Sequence, residues 1–301
     1  MAPHAALQPG NVAVITGAGA GGIGLAVALH CLARLDLNHT VLLDNNQRAL
    51  DLAADQLVAE GIPPTRFTTR LVDVSDPQQL ADAADAVFAQ HGRVDFLHLN
   101  AGVGGKSRTY GEGMLKDWDR IFKVNLGGVT AGSAAFVERM VAQDSPALVV
   151  ITGSKQGITN PPGTGGAYNA SKAAVKTFAE VLAHDLRSAG TKVDVKLLVP
   201  GWVHSKLSTG GDPTLVDEAH KPAGAWSASR CADELFSRLE SAPNEFYVVC
   251  PDDETSTELD YARFAWSAGD VVERRTALSR WDPAYKDEYE RFVRERVGEA
   301  Q

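Results

Sequence analysis

The run YNASK contains two groups that could exchange a proton with a substrate, the phenol of Tyr168 and the ammonium of Lys172. Their spacing of four puts both side chains on one face of a predicted helix. A phenol with a pKa of about 10 is a poor base at neutral pH, but a nearby ammonium stabilises the phenolate and lowers that pKa. Because such a pair arises often by chance, supporting residues must be found elsewhere in the chain.

Two polar residues could support this pair. Ser154 lies 14 positions before Tyr168, at the predicted end of a strand, where its hydroxyl could hold a substrate oxygen. Asn125 lies inside a long helical pattern, which is a poor position for asparagine unless its side chain has a hydrogen-bonding partner.

A third feature is the stretch TGAGAGGIG at residues 16–24, which follows an apolar run and precedes a helical pattern. Glycines allow the backbone to approach a pyrophosphate, whose charge suits the N-terminus of a helix. The stretch fits two registers, one through Gly17, Gly19 and Gly22 and one through Gly17, Gly22 and Gly24. The alternative interpretation is a turn that only packs a helix on a strand.

Asp44 lies 20 positions after Gly24, at the predicted end of the second strand. A carboxylate there can accept hydrogen bonds from the two ribose hydroxyls of an adenosine but repels a 2′-phosphate. Asn45 and Asn46 follow, so no nearby cation in sequence would bind that phosphate, and we favour NAD over NADP. Arg48, a turn into the next helix, could bind that phosphate, so NADP stays an alternative cofactor.

The elements that must position these residues alternate between strand and helix. Short apolar β-rich runs predict buried strands, and apolar residues three or four apart predict helices. Parallel strands need helical crossovers, so the alternation indicates a doubly wound α/β domain at residues 1–250, with a helical C-terminal extension at residues 251–301. The predicted strands are 11–16, 40–44, 66–74, 94–102, 147–154, 192–201 and 245–250, and the predicted helices are 23–35, 46–61, 76–92, 115–143, 167–189 and 229–241.

Composition restricts the partners. The 301 residues carry a net charge of −9, which argues against nucleic acid or an anionic membrane. No apolar run is long enough to span a membrane, and the first ten residues do not resemble a signal peptide. The three cysteines are far apart and form no C-x-x-C pattern, so we expect reduced thiols, a cytoplasmic location and no metal site.

Jointly, these motifs resemble the short-chain dehydrogenase/reductase family. Its pattern is T-G-x-x-x-G-x-G, Asp-Val after the third strand, Asn-Ala-Gly after the fourth, Asn in the long helix, Ser, Y-x-x-x-K and Pro-Gly after the sixth strand. This chain matches that order over about residues 10–250, with one extra residue between Gly17 and Gly22. The resemblance therefore selects the register Gly17, Gly22, Gly24 and implies a single Rossmann-type domain with a seven-stranded parallel sheet.

The resemblance also implies roles. Tyr168 would exchange the alcohol proton, Lys172 would lower its pKa and bind the nicotinamide ribose, and Ser154 would orient the substrate oxygen. Asn125 would hold a water that links Lys172 to solvent. The implied cofactor-binding residues are Gly17, Gly22, Ile23, Gly24, Asp44, Asp73, Val74, Asn100, Ala101, Gly102, Tyr168, Lys172, Pro200, Gly201, Val203 and Ser205.

The resemblance then implies a secondary alcohol or its ketone as substrate. The candidate residues on the substrate side are mostly apolar or neutral, which favours a hydrophobic or aromatic substrate. Gln156, Trp202 and His204 are the candidate substrate contacts. We expect a homodimer or homotetramer. We also expect the tail to pack on its own domain or on a neighbouring subunit, near a lid at residues 221–226. The alternatives are an NADP-preferring ketoreductase and, from another class, a catalytically silent dinucleotide-binding module.

Overall fold

A computed structural model describes residues 4–217 and 219–298. The strands are β1 (Val12–Thr16), β2 (His39–Asp44), β3 (Phe67–Leu71), β4 (Phe96–Leu99), β5 (Ala147–Thr152), β6 (Val193–Val199), β7 (Val203–His204), β8 (Trp226–Ser227) and β9 (Tyr247–Val249). Seven of them form a parallel sheet, which confirms the sequence prediction, and they lie in the order β3-β2-β1-β4-β5-β6-β9. The other two, β7 and β8, form a separate short pair.

The order of the strands determines where a ligand can bind. β1 has β2 on one side and β4 on the other, so the chain reverses its direction of winding between them. The loops after β1 and β4 therefore diverge and leave a crevice at the carboxyl edge of the sheet. The glycine-rich stretch follows β1, and the Asn-Ala-Gly motif follows β4.

Helices cover both faces of the sheet. Apolar side chains of α1, α2 and α8 form one core with the sheet, and those of α3, α5 and α7 form the other. β1, β2 and β5 are buried at every position because both of their faces are covered. The helices are α1 (Ile23–Leu29), α2 (Gln47–Ala59), α3 (Pro77–His91), α4 (Met114–Phe122), α5 (Gly128–Ala142), α6 (Gln156–Thr159), α7 (Gly166–Ser188), α8 (Ala228–Ser241), α9 (Thr257–Val272) and α10 (Lys286–Gly298).

The structure differs from the sequence prediction in the long helix at 115–143. It is divided into α4 and α5 by a π-helical turn at Lys123–Gly127. A π-turn widens the backbone by one residue, and such turns are frequent at functional sites. Asn125 lies in this turn, and its side chain is buried. The predicted loop after β5 also contains a short helix, α6.

The tail packs on its own domain. Asp253 N donates to the Gly224 carbonyl (3.1 Å), and Trp226 Nε1 donates to Asp253 (3.0 Å), which confirms a contact with the segment 221–226. That segment is anchored by the buried Trp226 in β8 and does not line the main cavity. Lys206, Leu207 and Ser208, from the loop after β7, do line it. No helix in the described ranges is long and apolar enough to cross a membrane.

Gly157 shows how closely α6 and α7 pack. A Cβ at this position would lie 2.6 Å from the carbonyl carbon of Lys172 and 2.8 Å from Ala173 N. We predict that Gly157→Ala lowers the free energy of unfolding by about 1–3 kcal/mol, because backbone must shift. Gly127→Ala is the control, since its nearest contact would be 3.6 Å away in helical backbone. Urea denaturation of both variants measures this, and equal losses would contradict the packing argument.

Candidate active site

One cavity of about 640 Å³ lies at the carboxyl edge of the sheet. This volume is within the range of small-molecule and cofactor sites. Most of the residues predicted from the sequence line it. They are Gly17, Gly22, Ile23, Asp44, Asp73, Val74, Asn100, Ala101, Gly102, Ser154, Gln156, Tyr168, Lys172, Pro200, Gly201, Trp202, Val203 and Ser205. Gly24, Asn125 and His204 were also predicted, but they do not line it.

The ends of three strands are joined by the side chain of Asn100. Its Nδ2 donates to the carbonyls of Thr16 (3.0 Å) and Gly17 (3.1 Å), and its Oδ1 accepts from the Thr152 hydroxyl (3.1 Å). Because that hydroxyl has one proton, His98 Nε2, 2.9 Å from it, must be a donor. Burial lowers the pKa of His98 to about 3, so the ring is neutral and carries its proton on Nε2.

Lys172 is fixed by the same strand end. Its Nζ donates to the main-chain carbonyl of Thr152 (2.8 Å) and lies 5.8 Å from the centre of the Tyr168 ring. The Lys172 side chain is buried, and burial lowers its pKa to about 8, because the cavity wall solvates an ammonium poorly. The predicted placement of Tyr168 and Lys172 on one helix face is confirmed.

The pKa of Tyr168 moves in the direction opposite to the one expected. Loss of hydration raises it, and a hydrogen bond with the Ser154 hydroxyl only partly opposes that change. Ser154 Oγ also accepts from Gln156 N (3.1 Å), which orients the hydroxyl toward the cavity side of α6. The phenol of Tyr168 is therefore protonated at neutral pH and is a hydrogen-bond donor there.

Asn125 is buried behind the cavity wall. Its Oδ1 accepts from Val103 N (2.8 Å), and its Nδ2 donates to Val103 O (3.1 Å) and Ser171 Oγ (2.9 Å). The predicted side-chain partner is thus present, and it connects the π-helical turn to α7. Asn125 does not line the cavity, because its amide atoms face these partners. Its role in holding a water stays a prediction.

The glycine-rich stretch combines open and packed positions. Gly22 lines the cavity, and a Cβ there would meet nothing closer than 3.9 Å. A Cβ at Gly24 would collide with the carbonyl of Gly17, so this glycine lets α1 pack against the loop. Gly24 does not line the cavity, and its contact with the cofactor stays a prediction. The N–H of Ala20 donates to Ala49 O (2.8 Å) and ties the loop to α2. The exposed backbone at Gly17, Gly22 and Ile23 fits a pyrophosphate.

Asp44 has a partner that the sequence did not reveal. Its carboxylate accepts from Gly19 N (3.0 Å) and Asn46 N (3.0 Å), as a rigid ribose-binding group should. Lys206 Nζ lies 3.0 and 3.2 Å from the two carboxylate oxygens. The expectation that no cation lies near the ribose site is therefore wrong. A separation of 162 positions hid this contact.

The segment that follows β6 contains the remaining predicted residues, from Pro200 to Ser205. Gly201 is close to Asp252 and Lys155, where a Cβ would collide with both side chains, and Trp202 N donates to Asp252 Oδ2 (3.0 Å). His204 is buried on the other side of its strand, with Nε2 3.1 Å from Leu215 O. His204 does not line the main cavity, so its predicted contact with substrate gains no support from the structure and stays a prediction.

Comparison with known proteins agrees with this geometry. Residues 11–214 match the family model described as short chain dehydrogenase. The chain belongs to the short-chain dehydrogenase family. As a member of this family it is an oxidoreductase of the class that uses NAD or NADP, with the Rossmann-type fold described above.

Several relatives extend the likeness. The 1-deoxy-11-beta-hydroxypentalenate dehydrogenase of Streptomyces avermitilis is 31% identical over 262 residues, which are 86% of this chain and 91% of that one. A short chain dehydrogenase/reductase from Burkholderia phymatum, solved in complex with NAD, is 31% identical with a TM-score of 0.76, over 89% of this chain and 96% of that one. A metagenomic short-chain oxidoreductase in complex with NADP is 27% identical with a TM-score of 0.62, over 81% and 97%.

Thr152 tests the network at the strand ends. We predict that Thr152→Val lowers the free energy of unfolding by about 1–3 kcal/mol and weakens NADH binding, because Asn100 Oδ1 and His98 Nε2 lose their buried partner. Thr152→Ser keeps the hydroxyl and should behave like the wild type, apart from a small cavity effect. Urea denaturation and NADH fluorescence titration measure the two quantities. Indistinguishable Val and Ser variants would contradict the network's role.

Proposed function

We propose that this protein is an NAD-dependent dehydrogenase that interconverts a secondary alcohol and its ketone, with an apolar or aromatic substrate body. The observation that supports this most is that Ser154, Tyr168 and Lys172 line the same cavity as Asp44 and the glycine-rich loop. When bound, a nicotinamide cofactor supplies the hydride chemistry. The homo-oligomer and the cytoplasmic location stay predictions.

Tyr168 is the proposed general acid and base. In ketone reduction its phenol gives a proton to the carbonyl oxygen, and in alcohol oxidation the phenolate takes that proton back. Its raised pKa keeps the phenol protonated at neutral pH, so it is available there as a proton donor. The Ser154 hydroxyl, already hydrogen-bonded to Tyr168, holds the same substrate oxygen. A positioned acid of this kind is worth about 10²–10⁴ in rate.

Lys172 is the proposed ribose-binding residue. One of its three N–H donors is used by the Thr152 carbonyl, which leaves two for the hydroxyls of the nicotinamide ribose. Its pKa of about 8 keeps most of the ammonium charged at neutral pH. Asn125 supports this residue indirectly, since its bond to Ser171 fixes the turn of α7 just before Lys172.

Asp44 supports NAD as the preferred cofactor. Its carboxylate is held by two backbone N–H groups and would repel a 2′-phosphate. A second candidate, an NADP-preferring ketoreductase, is favoured by Lys206, whose ammonium would attract that phosphate. We prefer NAD because Asp44 is buried and fixed, whereas Lys206 is partly exposed on a loop.

The role of Tyr168 is tested by Tyr168→Phe. We predict unchanged NADH affinity and a loss of at least about a hundredfold in kcat, because one oxygen is removed and the ring is kept. Tyr110→Phe, at an 83% exposed position, is the control and should keep full activity. Turnover and NADH fluorescence are measured in parallel. If the Tyr168→Phe variant keeps more than a tenth of the wild-type rate, the proton-transfer role is refuted.

Cofactor preference is tested by Asp44→Ala combined with Asn45→Arg. We predict that the ratio of kcat/KM for NADP to that for NAD rises by about ten- to a hundredfold, because repulsion is removed and a guanidinium is added. Lys206→Met in the wild-type background should change the ratio in the other direction. Steady-state kinetics with both cofactors measures the ratios. A wild type that already prefers NADP would overturn the Asp44 argument.

A further inference from the structure

The tail forms one wall of the active-site cavity. Asp260, Arg263 and Phe264 of α9 line it together with Arg280 and Trp281, and we call these five residues the tail wall. The wall begins next to the reacting groups, because Lys155 directly follows Ser154 and forms an ion pair with Asp260 at 2.5 Å. The tail therefore does more than pack on the domain, because it forms part of the cavity lining beside Ser154.

The ion pairs of Lys155 fix the wall in place. Its ammonium lies 3.2 Å from Asp252 and 2.5 Å from Asp260, and all three side chains are nearly buried. Asp252 also accepts from Trp202 N (3.0 Å), so the loop after β6 and the tail share one carboxylate. The ammonium of Lys155 thus has two carboxylate partners, and each carboxylate already has a cationic partner.

The two arginines of the tail wall lack such partners. Arg263 Nη1 donates to Thr255 Oγ1 (3.0 Å), but its Nε is buried without a hydrogen-bond partner. Arg280 lies over two aromatic rings, with its guanidinium 4.7 Å from the centre of the Trp281 ring and 5.6 Å from that of Tyr289. Asp260 is near enough to act on it electrostatically, but within the described residues Arg280 forms no ion pair. Arg275, which does not line the cavity, has ion pairs with Asp270 and Glu288.

The charged side chains around Lys155 and the tail wall carry a net positive charge. Lys155, Arg263 and Arg280 are cationic, and Asp252 and Asp260 are anionic, so one positive charge remains uncompensated when both carboxyls are ionised. Burial and the neighbouring Arg263 lower the pKa of Arg280, which indicates that the two guanidinium groups repel each other across a poorly hydrated space. An anion between them would relieve that repulsion and satisfy the free donors.

We propose that Arg263 and Arg280 bind the carboxylate of an acidic substrate. This inference rests on the proposed function and narrows its substrate class to a secondary alcohol or ketone whose apolar body ends in a carboxylate. Phe264, Trp281 and Trp202 line the same cavity and suit an aromatic or alkyl body between the two polar ends. One uncompensated charge matches a monoanion, and the planar guanidinium fork matches the two oxygens of a carboxylate.

The test uses aryl ketones of increasing length, each as the carboxylate and as its methyl ester: para-acetylbenzoate, para-acetylphenylacetate and the corresponding phenylpropanoate. We expect the wild-type kcat/KM for at least one carboxylate to exceed that for its ester by about ten- to a hundredfold. Arg263→Gln with Arg280→Gln should remove this preference and leave the ester unchanged. Arg291→Gln, at an exposed position of α10, is the control.

Calorimetric binding of the same carboxylates separates this proposal from the proposed function. If the wild type converts the esters but shows no preference for any carboxylate, the dehydrogenase stands and the anion site is overturned. If no ketone is converted but a carboxylate binds in an arginine-dependent way, the anion site stands and the dehydrogenase is overturned. Equal losses for ester and carboxylate in the double Gln variant would show a structural role and also overturn the anion site.

Discussion

The side-chain amide of Asn100 is the contact on which the rest of the active site depends. It connects the glycine-rich loop after β1, its own loop after β4 and the end of β5 through three hydrogen bonds. The carbonyl of Thr152, at the end of β5, then holds Lys172. The loops after neighbouring strands diverge at a topological switch point, so a polar bridge across this gap fixes the distance between the glycine-rich loop and α7.

This arrangement places several polar groups in a poorly hydrated region, and their pKa values reflect the cost. Burial keeps His98 neutral, lowers the pKa of Lys172 and raises that of Tyr168. Each shift opposes charge, because the cavity wall offers fewer dipoles than water does. The protein compensates with fixed partners: the Ser154 hydroxyl forms a hydrogen bond with Tyr168, and the Thr152 carbonyl accepts one from Lys172.

The sequence was sufficient for the sheet, the order of elements and the lining residues that belong to ordered motifs, because these depend on local patterns such as glycine spacing and strand alternation. It did not reveal contacts between distant segments. Lys206 reaches Asp44 from a loop 162 positions away, and Arg263 reaches the cavity only through the folding of the tail. The direction expected from the sequence for the pKa shift of Tyr168 was also wrong, because the hydration of its phenol depends on how the folded chain encloses it.

The central claim is that this cavity is catalytically active and not only a dinucleotide-binding module. The most direct measurement is a screen of secondary alcohols and ketones with NAD(H) and NADP(H), followed by the absorbance of the reduced nicotinamide. The account predicts turnover of at least one aryl or alkyl secondary alcohol or ketone, faster with NAD(H) than with NADP(H). Tight NADH binding without turnover of any compound in the panel would contradict it.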